Sequence, residues 1–198
     1  RHFGVSVISC LFVVQIAIIY SIIVNKKEQE KNCREFAAKA GYTYFPKGAV
    51  NTLPSMFTNL GDGLLIWNIF ETSYQNYPVR LFDLSFRVGS GKHERVYTST
   101  VYEMTLPQQF PLMIIAAKEG IASWVERFSS QRVERVKLEG NFNNTFTTYA
   151  ESGAQMEIRV ILSPDDMALL IDDMSEHSFV FSENKVFVFY SGKMIDYI

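Results

Sequence analysis

The sequence predicts an α+β fold: an N-terminal transmembrane helix followed by a soluble domain of mostly antiparallel strands with a few short helices. Three observations carry that prediction. Phe3–Val24 holds no charged residue in 22 positions, and a helix of that length reaches about 33 Å, enough to cross a hydrocarbon core of roughly 30 Å. Tyr77–Val88 alternates, with Phe82, Leu84, Phe86 and Val88 on one face and Asp83, Ser85 and Arg87 on the other. Ser163-Pro164-Asp165-Asp166 opens a helix with a capping hydroxyl, a first-turn proline and two carboxylates at the positive end of the dipole.

Taken in order, the chain divides into an anchor (1–24), an amphipathic stalk helix (25–41) and a soluble domain (42–198). In Asn25–Ala40, Cys33, Phe36, Ala37 and Ala40 form one apolar stripe, and Gly41 stands where a left-handed C-cap ends the helix. Tyr42–Phe45 reads as a short strand. Lys47–Gly63 reads as loop with one helical turn at Pro54–Thr58. Strands are expected at Leu64–Glu71, Tyr77–Val88, Arg95–Leu106 and Leu112–Ala117, with Gly89-Ser90-Gly91 as a hairpin turn and Pro107 and Pro111 between the last two. Glu119–Ser129 has helical spacing of Ile121, Trp124, Val125 and Phe128. Val136–Leu138 reads as a strand, and Phe142, Phe146 and Tyr149 suggest a helix over Asn141–Ala150. The alternation of Met156, Ile158, Val160 and Leu162 predicts a strand over Met156–Leu162. Pro164–Met174 is the best-signalled helix. Ser178–Phe181 and Val186–Tyr190 read as a hairpin about Glu183-Asn184.

Composition narrows the class. The net charge is −2, which removes the argument for nucleic acid as a partner. Of two cysteines, Cys10 lies in the apolar run and Cys33 outside it, so no disulfide framework is available. Asn143-Asn144-Thr145 matches a glycosylation acceptor, which has no meaning on a cytoplasmic domain. The run is too long for a signal-peptide core and no small-x-small cleavage site follows Val24. Arg1 rather than Met opens the chain, which leaves room for upstream residues and a further membrane helix. Lys26, Lys27, Lys31, Arg34 and Lys39 follow the run against Arg1 alone before it, and positive residues tend to stay inside. The partner of Phe3–Val24 is then the lipid bilayer, with the domain on the cytoplasmic side.

Candidate chemistry is sparse. Gly89-Ser90-Gly91-Lys92 lacks the earlier glycine and the following hydroxyl of a phosphate loop, since Phe86 and His93 stand there; a turn explains it. His2, His93 and His177 show no metal-ligand spacing, and no Gly-x-Ser-x-Gly elbow exists. Cys33 reads as a packed thiol. The sequence therefore assigns no catalytic, cofactor or metal residues. Paired carboxylates need only spatial proximity and earn no assignment. Arg127, Arg132, Arg135 and Lys137 are offset by Glu126, Glu134 and Glu139. The remaining candidate is acidic: Asp165, Asp166, Asp172, Asp173 and Glu176 charge both ends of one helix. At its C-terminus this opposes the dipole, as a surface for a basic protein partner would.

Leu138-Glu139-Gly140-Asn141-Phe142, Phe146, Tyr149-Ala150 and Ile161-Leu162-Ser163-Pro164-Asp165-Asp166-Met167 resemble a family of uncharacterised bacterial membrane-anchored proteins. Gly41-Tyr42-Thr43-Tyr44, Leu81-Phe82-Asp83 and Thr105-Leu106-Pro107 look similar too. The resemblance implies a membrane segment, a helix and an α+β domain, with no catalytic residues to carry over. Three functions compete: a non-enzymatic interaction or scaffold domain at the membrane surface, a pilin-like filament subunit, and a membrane-bound enzyme with a dispersed site. A glutamate expected early in a pilin's apolar segment is missing from Phe3–Val24.

Overall fold

Helix α1 (Lys26–Ala40) turns back at Gly41 into strand β1 (Thr43–Lys47), and that pairing of helix with edge strand sets up the first half of the molecule. The computed structural model describes residues 26–58, 60–117 and 133–190. Phe3–Val24 and the helix expected at Glu119–Ser129 lie outside the described residues. Among the described residues, no helix is long and apolar enough to cross a membrane.

The α1 terminus shows how local sequence sets the geometry. Gly41 takes φ 72°, the Tyr42 N–H donates to the Ala37 carbonyl at 2.8 Å, and the Tyr42 ring meets Phe36 edge-on at 5.9 Å. This is a Schellman cap with its apolar contact. Cys33 and Ala37 are buried beneath α1, while Ala40 is exposed past the end of the expected stripe.

A short helix, α2 (Ser55–Thr58), leads into strands β2 (Asp62–Tyr74), β3 (Tyr77–Val88) and β4 (Arg95–Ala117). After them come β5 (Val133–Val136), α3 (Phe142–Thr145), β6 (Phe146–Glu151), α4 (Gln155–Ile161), α5 (Pro164–Met174) and β7 (His177–Tyr190). The seven described strands form one antiparallel sheet in the order β1-β2-β3-β4-β6-β5, with β7 on the free edge of β4. The α+β class with mostly antiparallel strands is thus the observed architecture.

One strand holds the sheet together. On one edge, β4 pairs with β3 through Arg95–Met104 and then with β6 through Met113–Ala117. Its other edge pairs with β7 from Val101 to Ile115. The expected strands Arg95–Leu106 and Leu112–Ala117 are therefore one element. Pro107 still leaves a mark: from Thr105 to Phe110, β4 advances five residues while β7 advances two, and the unpaired bulge absorbs the missing N–H. The expected hairpin at Glu183-Asn184 is likewise a bend within β7, with Glu183 at φ 57° opposite that bulge.

Two further expectations are corrected. Asn141–Ala150 is one helical turn and then β6, because Phe146, Thr148 and Ala150 alternate inward against the waiting edge of β4. Met156–Leu162 is helical. Ile158 and Leu162 are buried while Met156 and Val160 are 79% and 83% exposed, the split expected when residues four apart share a helix face and residues two apart do not. The edge that a strand here would have taken is already occupied by β5, whose Glu134 accepts from Ser152 and from Gln155 at the start of α4. The short strand expected at Val136–Leu138 is shifted to Val133–Val136.

Alternation buries both faces of the sheet. One core joins Leu81, Tyr102, Met113, Phe146 and Phe179 to α4 and α5. The other joins Phe82, Leu84, Val101 and Phe187 to Phe57 and Leu60 from the α2 segment. Phe57 is fully buried with its ring 4.7 Å from that of Phe187.

Candidate functional site

The densest polar construction among the described residues lies between α1 and the sheet. Its origin is a bulge in β2. Trp67 pairs with Asp83 and Phe70 with Leu81, three residues against two, and the inserted Asn68 takes φ 50°. Asparagine tolerates that left-handed backbone, and the bulge turns its side chain inward. Asn68 Nδ2 donates to Asp83 Oδ2 at 2.9 Å. On the other side, Thr100 Oγ1 donates to Asp83 Oδ1 at 2.7 Å. The Tyr44 hydroxyl donates to Asn68 Oδ1 at 3.0 Å and is hydrogen-bonded with the Cys33 thiol. A single chain of polar contacts thus runs from α1 through β1, β2, β3 and β4.

Aromatic packing closes the seam. Phe36 meets Phe70 edge-on at 5.9 Å, and Tyr44 lies 5.0 Å from the same ring. The Arg34 guanidinium stands 5.4 Å over Tyr44 and is also paired with Glu30 at 2.8 Å. Burial dominates the electrostatics. Desolvation pushes the Asp83 carboxyl above the usual carboxylate range, with the Thr100 and Asn68 donors acting against it. The Cys33 thiol and the Tyr44 hydroxyl are also pushed up by desolvation. A thiol held protonated makes a poor nucleophile. What this arrangement does well is fix α1 to the sheet in one register, because each buried polar group is satisfied only there.

The opposite face of the same strands carries a buried ion triad. Glu103, 3% exposed, takes Lys185 Nζ on Oε1 at 2.7 Å and Arg80 Nη2 on Oε2 at 3.3 Å. Arg80 also lies 5.2 Å over the Phe82 ring. The triad ties β3, β4 and β7 together beside the bulge at Pro107.

The acidic positions read from the sequence separate into two groups. Asp166 is consumed by a capping box: its N–H donates to Ser163 Oγ at 3.2 Å, while its carboxylate accepts from the Ser163 N–H. Asp165, Asp172, Asp173 and Glu176 are exposed. Among the described residues, no group of three or more His, Cys, Asp or Glu side chains could hold a metal ion. Sequence reading missed the seam because Cys33, Tyr44, Asn68, Asp83 and Thr100 come from five elements. The one available signal was Asp83 on the otherwise half-apolar strand β3.

The geometry defines a class: a bent antiparallel sheet, covered on one face by a pinned N-terminal helix. No protein-family model and no curated protein matches the chain. Among solved structures, it is similar to the mycobacterial trehalose monomycolate transport factor A, TtfA, at 9% identity and a TM-score of 0.55. The match covers 83% of each chain. At that identity the likeness is one of fold.

Proposed function

We propose that the protein is a non-enzymatic, membrane-tethered interaction or scaffold module, held in the bilayer by Phe3–Val24 with its α+β domain on the cytoplasmic side. The observation that carries the reading is the seam. The helix that begins one residue after the uncharged run in the sequence is locked to four strands by Cys33, Tyr44, Asn68, Asp83 and Thr100. A jointed tether serves a protein that must present its surface at a defined height and angle. Two further points support it. The structurally similar TtfA is a transport factor by name, and the residue patterns resemble bacterial membrane-anchored proteins. Exposed Asp165, Asp172, Asp173 and Glu176 offer a basic protein partner a surface.

Extraction of membranes with alkaline carbonate tests the tether. The intact chain should remain in the pellet, and Val14→Arg with Ile18→Arg should move it to the supernatant. An intact chain found in the supernatant overturns the tether. A photo-crosslinker placed at Asp172 should trap a discrete adduct in membranes; its absence removes the acidic face as the partner surface.

A further inference from the structure

We propose that the end of the sheet bearing Leu65, Val96 and the turn Gly89–His93 rests on the anionic lipid surface, as a second membrane contact beside the tether. The inference rests on the tethered reading above and adds an orientation to it. It begins with direction. α1 and β1 are joined by a tight turn and run antiparallel, since Phe36 meets Tyr42 whereas Cys33, earlier in the helix, reaches Tyr44, two residues further along the chain. The 15 residues of α1 span about 22 Å, and the five of β1 about 16 Å. The start of α1 therefore overshoots Lys47 and its partner Trp67 by roughly two strand residues. That brings Lys26 level with the row Leu65–Ser85–Thr98, next to the row Arg87–Val96. The apolar run ends at Val24, so the bilayer is on this side of the domain.

The rows at that end are built unlike the rest of the sheet. Leu65 is 60% exposed and Val96 47% exposed, and alternation places both on the face that α1 covers further along. Both were free to be polar if water were their neighbour. This end of the domain also carries exposed Lys47, Lys92 and Arg95, the last paired with Val88 and so on the other face, and Arg87, which pairs with exposed Asp62 in its row and whose guanidinium is 3.4 Å from Glu94. Lys26 and Lys27 open α1 at the same level. Two exposed aliphatic side chains at an end where basic residues outnumber acidic ones match an anionic headgroup layer over hydrocarbon. The exposed pair Met156 and Val160 sits instead on α4, which packs through Ile158 with the β6 side of the sheet, and serves as the comparison surface.

The test uses the full chain with Cys10→Ser, reconstituted in vesicles of phosphatidylcholine with phosphatidylglycerol. Spin labels at Leu65→Cys, Val96→Cys and Met156→Cys are read by their relative accessibility to oxygen and to a water-soluble nickel chelate. Cys33 is buried, and its background is read in Cys10→Ser alone. Labels at 65 and 96 should report lipid depth and the label at 156 should report water. Lys92→Glu with Arg95→Glu should return 65 and 96 toward the aqueous reading, as should vesicles of phosphatidylcholine alone. Aqueous readings at 65 and 96 in protein that floats with the vesicles overturn this orientation and leave the tether standing. Readings shielded from both oxygen and nickel put protein rather than lipid on this face and also overturn it. Protein that fails to float overturns the tether, and this inference with it.

Discussion

Replacing Thr100 by valine tests the seam most sharply, because the side chains are nearly the same shape and only the hydroxyl is lost. The Thr100 hydroxyl donates to Asp83 Oδ1 at 2.7 Å. Against a carboxylate such a bond contributes about 1.5–3 kcal/mol, and against a neutral carboxyl nearer 1 kcal/mol. Desolvation holds the Asp83 pKa above its unfolded value. Between those two values the folded chain therefore binds the extra proton. Stability from this group is fully present below the unfolded value of about 3.9 and is lost as pH rises through the raised folded value. Thr100→Val removes a donor that favours the charged form, so it raises the folded value further. Its penalty must grow with pH. Urea unfolding of the intact chain in detergent should show a loss of about 1 kcal/mol below the unfolded value, growing to about 2 kcal/mol as pH rises through the raised folded value. The latter corresponds to a melting shift of about 4–8 °C for a domain of this size. His177, buried and held below its ordinary value by desolvation, adds its own pH dependence. That stability is present above about 6.5 and is lost as pH falls, equally in both proteins, so it cancels in the difference. A loss that shrinks as pH rises, or none, would refute the reasoning.

Three other outcomes follow from the same structure. Ile158→Ala should cost about 2–5 kcal/mol in chemical denaturation, while Met156→Lys and Val160→Lys should stay within about 0.5 kcal/mol. Equal effects at all three positions would restore the strand. Glu103→Ala should cost about 3–5 kcal/mol by leaving Arg80 and Lys185 facing each other, and replacing all three with apolar residues should recover most of it. In a Cys10→Ser chain, maleimide at pH 8 should label Cys33 only once denaturant is added, since the thiol is buried and its pKa raised; rapid labelling of folded protein would mean that α1 is not docked.

What the sequence alone determined is what neighbours along the chain enforce. The Gly41 cap, the alternation of β3 and the Ser163 cap of the helix at Pro164 each depend on residues within one or two turns, and each is found as read. The apolar run Phe3–Val24 is equally a property of the chain itself. Tertiary structure decided the cases where two periods fit the same letters. Met156, Ile158, Val160 and Leu162 satisfy a strand and a helix alike, and only the occupied edge of β6 selects the helix. Phe142, Phe146 and Tyr149 fit a helix face, and the open edge of β4 overrides it with a strand that sends Phe146 and Tyr149 into different cores. The continuity of β4 and β7 through their bulges is likewise a decision of pairing, since each strand holds the other extended across residues that in isolation would turn. The seam is the extreme case. A hydrogen bond needs its partners within about 3 Å and is indifferent to their distance along the chain. Cys33 and Thr100 therefore became parts of one structure only when α1 closed over the sheet.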